Sequence, residues 1–174
     1  MKSRGKTGSS TVEFPMVLFF FLFVGLFPLI DLASIFLGSS TIASAARVAA
    51  LKAARAQTYT TNTSATQLSA VNTATSIAAG FSGGNVNIPA SGVTISALQV
   101  PVAGGAPQQI TPGAAFSVDT STYTYQIQVT VTGTVTPIVL LGSNIFGNVQ
   151  GLTIPLTVTT SSTASLENPD ALNG

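Results

Sequence analysis

Cysteine, histidine and tryptophan are all absent from this chain. Without thiolate or imidazole there is no disulfide framework, no cysteine nucleophile and no histidine base, and the common zinc, haem and iron–sulfur sites are excluded. Charge is scarce as well: 6% of the residues are Asp, Glu, Lys or Arg, where an ordinary soluble domain has about 25%. A chain of 174 residues holds one domain, or one domain plus a membrane helix, so a pair of catalytic domains does not fit. The few charges are also unevenly placed. All six basic residues (Lys2, Arg4, Lys6, Arg47, Lys52 and Arg55) fall in the first 55 positions, and residues 58–174 carry only Asp119, Glu167 and Asp170. Phosphate neutralisation needs a Lys/Arg surface, so no nucleic-acid partner is expected for that portion. Its Thr, Ser, Gly, Ala and Asn suit a weakly charged, exported exterior.

Catalysis has little to draw on. A Ser–Lys dyad would have to use lysines that lie in or beside the N-terminal helical region. Gly83-Gly84 and Gly104-Gly105 lack the following Lys and helix signal of a phosphate loop. No enzymatic activity, no cofactor and no metal site are expected.

What the sequence does have is a long hydrophobic run. FPMVLFFFLFVGLFPLI, from Phe14 to Ile30, is 17 residues without a charge, and LASIFL continues it beyond Asp31 to Leu37. Counted across Asp31 the run is 24 residues, about 36 Å of helix against a hydrocarbon core of about 30 Å. The basic flank before it puts the N-terminus on the cytoplasmic side and the rest of the chain outside. A secretory signal peptide with a small-residue cleavage site at Ala43-Ser44-Ala45 is the alternative, but its apolar region runs only about 7 to 15 residues.

Glu13 stands at the edge of this run, where an acid carried into the bilayer calls for a partner. Five residues upstream, the basic stretch KSRGKTG ends at Gly8. Cleavage after Gly8 makes Ser9 the new N-terminus and Glu13 the fifth residue of the mature chain. The new α-amine is substantially cationic at neutral pH and suited to neutralise a carboxylate on an adjacent subunit.

These features carry a resemblance. A basic leader ending in Gly8, Glu13-Phe14 after a small polar stretch, a long apolar helix, and Asp31 followed by the Ala-rich SAARVAALKAARAQ of residues 44–57 resemble the TadE-type pseudopilins of tight-adherence (type IVc) pili. The tail, YTYQIQVTVTGTVTP and then LTIPLTVTTSSTASLENP, is similar to the closing strand pair of TadE and TadG proteins. The likeness covers both ends of the chain and leaves residues 58–115 unassigned. It implies a structural pilus subunit cleaved between Gly8 and Ser9 by a prepilin peptidase. Such a subunit is held in the inner membrane before assembly with other pilin or pseudopilin subunits, in a homo- or hetero-oligomer, and is then displayed on the cell surface. A subunit that itself polymerises into the main fibre, and a membrane-anchored β-rich adhesin, are the competing functions.

The pattern predicts one helix over residues 9–57, kinked at Gly25 and Pro28 and weakened at Gly38-Ser39-Ser40-Thr41. Beyond it Ile42, Ala45, Ala46, Ala49 and Ala53 form an alanine-lined packing face. Arg47, Lys52 and Arg55 fall elsewhere, either solvated or pairing between subunits with Asp119 or the C-terminal acids. A second helix is predicted over 63–79, capped by Thr63 or Ser64 and stopped at Gly80.

Strict alternation from Tyr123 to Thr136 predicts a long strand with one buried face, and Leu152, Ile154, Leu156 and Val158 predict a second. Pro155 cannot donate to a ladder and marks an edge or a bulge there. Shorter strands are expected at Val86–Ile88, Val93–Val100 and Ala114–Val118. The fold class is α+β, a long membrane-spanning N-terminal helix on an antiparallel sheet of about four strands; a small β-sandwich on a membrane stalk is the competitor. Between the long strands Ile138, Val139, Leu140, Leu141, Ile145 and Phe146 make an apolar connection, either folded back as core or used as a subunit contact. Residues 168–174 show no periodicity and are expected to trail as a disordered extension.

Overall fold

The structure, a computed structural model, describes residues 10–59, 69–112, 116–139 and 147–173. Its first feature follows from the uninterrupted apolar and alanine-rich run. α1 (Ser10–Phe20), a π-helical turn (Phe21–Leu26) and α2 (Phe27–Ala53) succeed one another without a gap. The π turn answers the missing amide of Pro28. One residue earlier the Phe27 N–H reaches back five positions to the Leu22 carbonyl, widening the helix where the ordinary ladder is about to lose a donor. The Gly38–Thr41 cluster does not interrupt the helix, and two of its hydroxyls turn back onto the ladder. Ser40 Oγ and Thr41 Oγ1 both donate to the Leu37 carbonyl, at 2.8 and 3.0 Å. The helix ends at Ala53, four residues before the predicted Gln57, where the Ala54 carbonyl is taken by the Glu167 N–H at 3.1 Å.

α3 (Ala70–Ala79) is shorter than the predicted 63–79. Its N-cap is Ser69, whose hydroxyl accepts from the Asn72 N–H, in place of Thr63 or Ser64, which lie outside the described residues. Ser69 is also fixed from the other side by a parallel bridge to Thr58, so the helix cannot extend through it. Gly80 is the C-cap, as predicted.

The strands form one antiparallel sheet: β1 (Val86–Asn87), β2 (Val93–Pro101), β3 (Gln108–Ile110), β4 (Tyr123–Val135) and β5 (Leu156–Ser165). β4 lies at its centre. One edge of β4 pairs with β2, from Val93 opposite Val131 to Pro101 opposite Tyr123, and with β1 at Val86 opposite Val135. The other edge pairs with β5, from Leu156 opposite Val135 to Ser165 opposite Gln126. β3 extends the sheet beyond β2. The alternation of β4 sets its orientation: Tyr125, Ile127, Val129, Val131 and Val135 are buried beneath the helices, while the Thr and Gln positions form the opposite face. There the cross-strand hydroxyl pairs Thr130–Ser161 and Thr132–Thr159 meet at 2.7 and 3.0 Å.

Several predicted boundaries are corrected. β5 begins at Leu156, after Pro155 rather than through it, and runs on to Ser165 with Thr160, Ser162 and Ala164 taking the inward positions. The apolar alternation stops at Val158, but ten consecutive backbone partners on β4 carry the strand further. The strand expected at Ala114–Val118 is not formed by its described part; Phe116 and Val118 pack on the core as loop residues, and residues 113–115 lie outside the described set. The third short strand is instead Gln108–Ile110, whose two glutamines carry no apolar alternation. The expected C-terminal extension is a 3-10 turn (Pro169–Asn173), with Leu172 fully buried and the Ala171 carbonyl accepting the Tyr59 N–H at 3.0 Å. A single turn is too short to show periodicity.

α2 packs on β4, β5 and α3, so both helices lie against one face of the sheet. The chain is α+β, a long apolar N-terminal helix on a small antiparallel sheet, and the single sheet replaces the sandwich alternative. The core is fine-grained: Ala45, Ala46, Ala49, Ala50 and Ala53 are fully buried, and their small side chains let α2 approach the strands closely.

Candidate functional site

The apolar part of the helix projects beyond the sheet. Phe14, Met16, Val17, Phe19, Phe20 and Phe21 are at least 60% exposed, and the stretch Glu13–Ala53 is long and apolar enough to cross a membrane. Rings four residues apart line one side of it, with Phe19 and Phe23 stacked at 4.2 Å and Phe23 and Phe27 edge to face at 5.3 Å. Glu13 is exposed in the first turn of α1. Gly8 and Ser9 lie outside the described residues.

Gly25 sits in the π turn and Pro28 in the first turn of α2. Asp31 lies where the helix meets the sheet domain and is fully buried. Its Oδ1 accepts the Val139 N–H at 2.8 Å, while Oδ2 has no partner among the described residues. The carboxylate therefore ties the helix to the β4–β5 connection 108 residues away. Of the apolar connection, Ile138 is 63% exposed and Val139 half-buried. Leu140, Leu141, Ile145 and Phe146 lie outside the described residues.

Two more contacts join helix to sheet at this level, and sequence reasoning missed both. A Cβ added to Gly38 would stand 2.5 Å from Val135 Cγ1, so only glycine permits this approach of α2 to the end of β4. Gly151, at φ +84°, turns the chain against Ile35. The signal for the first was present. Counting back from Ile42 by fours and threes gives Gly38, Ser34 and Asp31, all of them buried, which extends the alanine face upstream. Beside this seam lie two apolar crevices. One of about 270 Å³ separates Pro28, Leu32 and Ile35 from Gln150, Gly151 and Leu152, and one of about 580 Å³ runs along Leu29, Ala33 and Phe36.

Elsewhere the polar groups serve the fold. Arg55 Nε meets Glu167 Oε1 at 2.7 Å, so this cation has its acid within the same chain; both side chains are 62% exposed, and such a pair contributes about 0–1 kcal/mol. Arg47 and Lys52 are exposed. Asp119 is held below the ordinary carboxylate range by the Ser121 and Thr122 hydroxyls, with the Ser121 N–H adding to them. The Tyr59 hydroxyl, which donates to the Ile95 carbonyl at 3.0 Å, is pushed up by burial. Among the described residues no group of three acids forms a metal cage. The arrangement is one of anchoring and packing. Compared with protein-family models, curated proteins and solved structures, the chain matches none of them.

Proposed function

We propose that the chain is a structural subunit of an extracellular pilus, a TadE-like minor pseudopilin assembled through its N-terminal helix. The observation that carries this reading is the division of labour along one helix: an exposed apolar half that leads the chain, continuous with an alanine-faced half clamped on a sheet. Such a subunit presents its leading half to lipid first and to the helices of neighbouring subunits afterwards. The basic leader, Gly8 and the Glu13 spacing supply the processing signal, and the prepilin peptidase, inner membrane and fellow pilin subunits are the partners it calls for. Glu13 pairs with the Ser9 amine of a neighbour once the leader is gone.

Cleavage between Gly8 and Ser9 is the deciding event. N-terminal sequencing of the protein from cells with an active peptidase should begin at Ser9, and a bulky replacement of Gly8 should leave the precursor in the membrane. A mature chain that still starts at Met1 removes the pilin reading and leaves the membrane-anchored binding module.

A further inference from the structure

An acid inside an apolar helix must be sheltered wherever that helix meets lipid. Asp31 is sheltered by the start of the β4–β5 connection: Val139 donates to its carboxylate, and Pro137 is buried. Gly151, from the other end of that connection, is packed against Ile35 one turn further along the helix. The two ends of the connection thus clasp the helix within about one turn of each other.

That height is informative. From Phe14, the first apolar residue after Glu13, Asp31 lies about 26 Å and Ile35 about 32 Å along the helix axis, where the far boundary of a hydrocarbon core about 30 Å thick would fall. The clasping segments are built for that boundary. Residues 120–166 contain no Asp, Glu, Lys or Arg. Ile138 is 63% and Val149 42% exposed, next to a helix whose Leu29, Leu32 and Phe36 are 63%, 63% and 73% exposed. The crevice between Leu32 and Leu152 is apolar and opens beside them.

The geometry points to a membrane-seated collar: Pro137–Val139 and Val149–Leu152 rest in the outer leaflet around the helix, with Ile138 and Val149 against lipid acyl chains. The partner is a lipid surface, recognised by apolar contact without charge. The collar sets the depth and tilt of the subunit before assembly and keeps Asp31 out of contact with lipid. This inference rests on the membrane-inserted state of the reading above.

The chain has no cysteine, so single reporters can be introduced cleanly. Ile138→Cys, Val149→Cys, Val24→Cys and Thr94→Cys, in the full chain, would each carry an environment-sensitive fluorophore in phosphatidylcholine–phosphatidylglycerol vesicles containing lipids brominated either near the headgroup or near the methyl end. Position 24 should be quenched most by deep bromines. Positions 138 and 149 should be blue-shifted and quenched most by shallow bromines, and position 94, on the exposed sheet face, should be quenched by neither. Quenching at 24 with positions 138 and 149 behaving like 94 overturns the collar while leaving the membrane helix in place. Absence of quenching at 24 overturns both. Disulfide-linked dimers of the Ile138→Cys chain in place of lipid quenching would make this face a subunit contact instead, and would also overturn the collar.

Discussion

At the scale of single residues, one of the tight fits between helix and sheet is made at a glycine. Gly38 faces Val135, and an added methyl group would overlap both Cγ atoms, at 2.5 and 2.8 Å. In an exposed helix, alanine is better than glycine by about 1 kcal/mol. Here that gain is outweighed by overpacking, which costs about 1–3 kcal/mol. Gly38→Ala should therefore lower the stability of the sheet domain, and adding Val135→Ala should recover part of the loss, because the second change removes the obstructing atoms. Thermal unfolding of the single and double variants measures the coupling. A Gly38→Ala chain at least as stable as the parent would mean that α2 has room to move away from β4.

Among the elements, the C-terminal turn is short but tied into the core. Five residues, Pro169–Asn173, place Leu172 in the core and give the Ala171 carbonyl to the Tyr59 N–H. Ending the chain after Glu167 should cost about 2–5 kcal/mol, the range for emptying a fully buried leucine site, and should lower the unfolding temperature measured by circular dichroism. An unchanged midpoint would place the turn outside the cooperative unit. The neighbouring Arg55–Glu167 pair is retained in the shortened chain, and with both side chains mostly exposed it contributes about 0–1 kcal/mol in either form.

For the whole molecule, the helix and the sheet are two halves of one core. The inward side chains of β4 and β5 meet α2, and these strands with α3 make most of the contacts between α2 and the other elements. A fragment of residues 34–174 retains Gly38, Ile42 and the alanine face and should unfold cooperatively. A fragment of residues 58–174 lacks that face and should be collapsed or aggregated, with no cooperative transition by circular dichroism or calorimetry. Cooperative unfolding of the shorter fragment would make the sheet an independent domain on a separable anchor.

Much of this organisation was legible in the chain, because it depends on periodicity, which is local. The apolar run beyond Glu13 determines a helix, and the alternation from Tyr123 to Val135 and the three- and four-residue spacing of Ile42, Ala45, Ala46, Ala49 and Ala53 each determine an element and the face it buries. Periodicity is silent where an element is short or polar, so Gln108–Ile110 and the turn at Pro169–Asn173 became visible only through their partners. It also describes one element at a time. That Gly38 yields to Val135, that Ser69 caps α3, and that Asp31 lies under the Val139 amide are consequences of segments far apart in sequence meeting. Sequence alone determined a leading apolar helix and a strand-rich remainder, residues 58–174, without a cation. Tertiary structure decided how the β4–β5 connection clasps that helix, because register and close approach are set by the complementary surfaces of both partners.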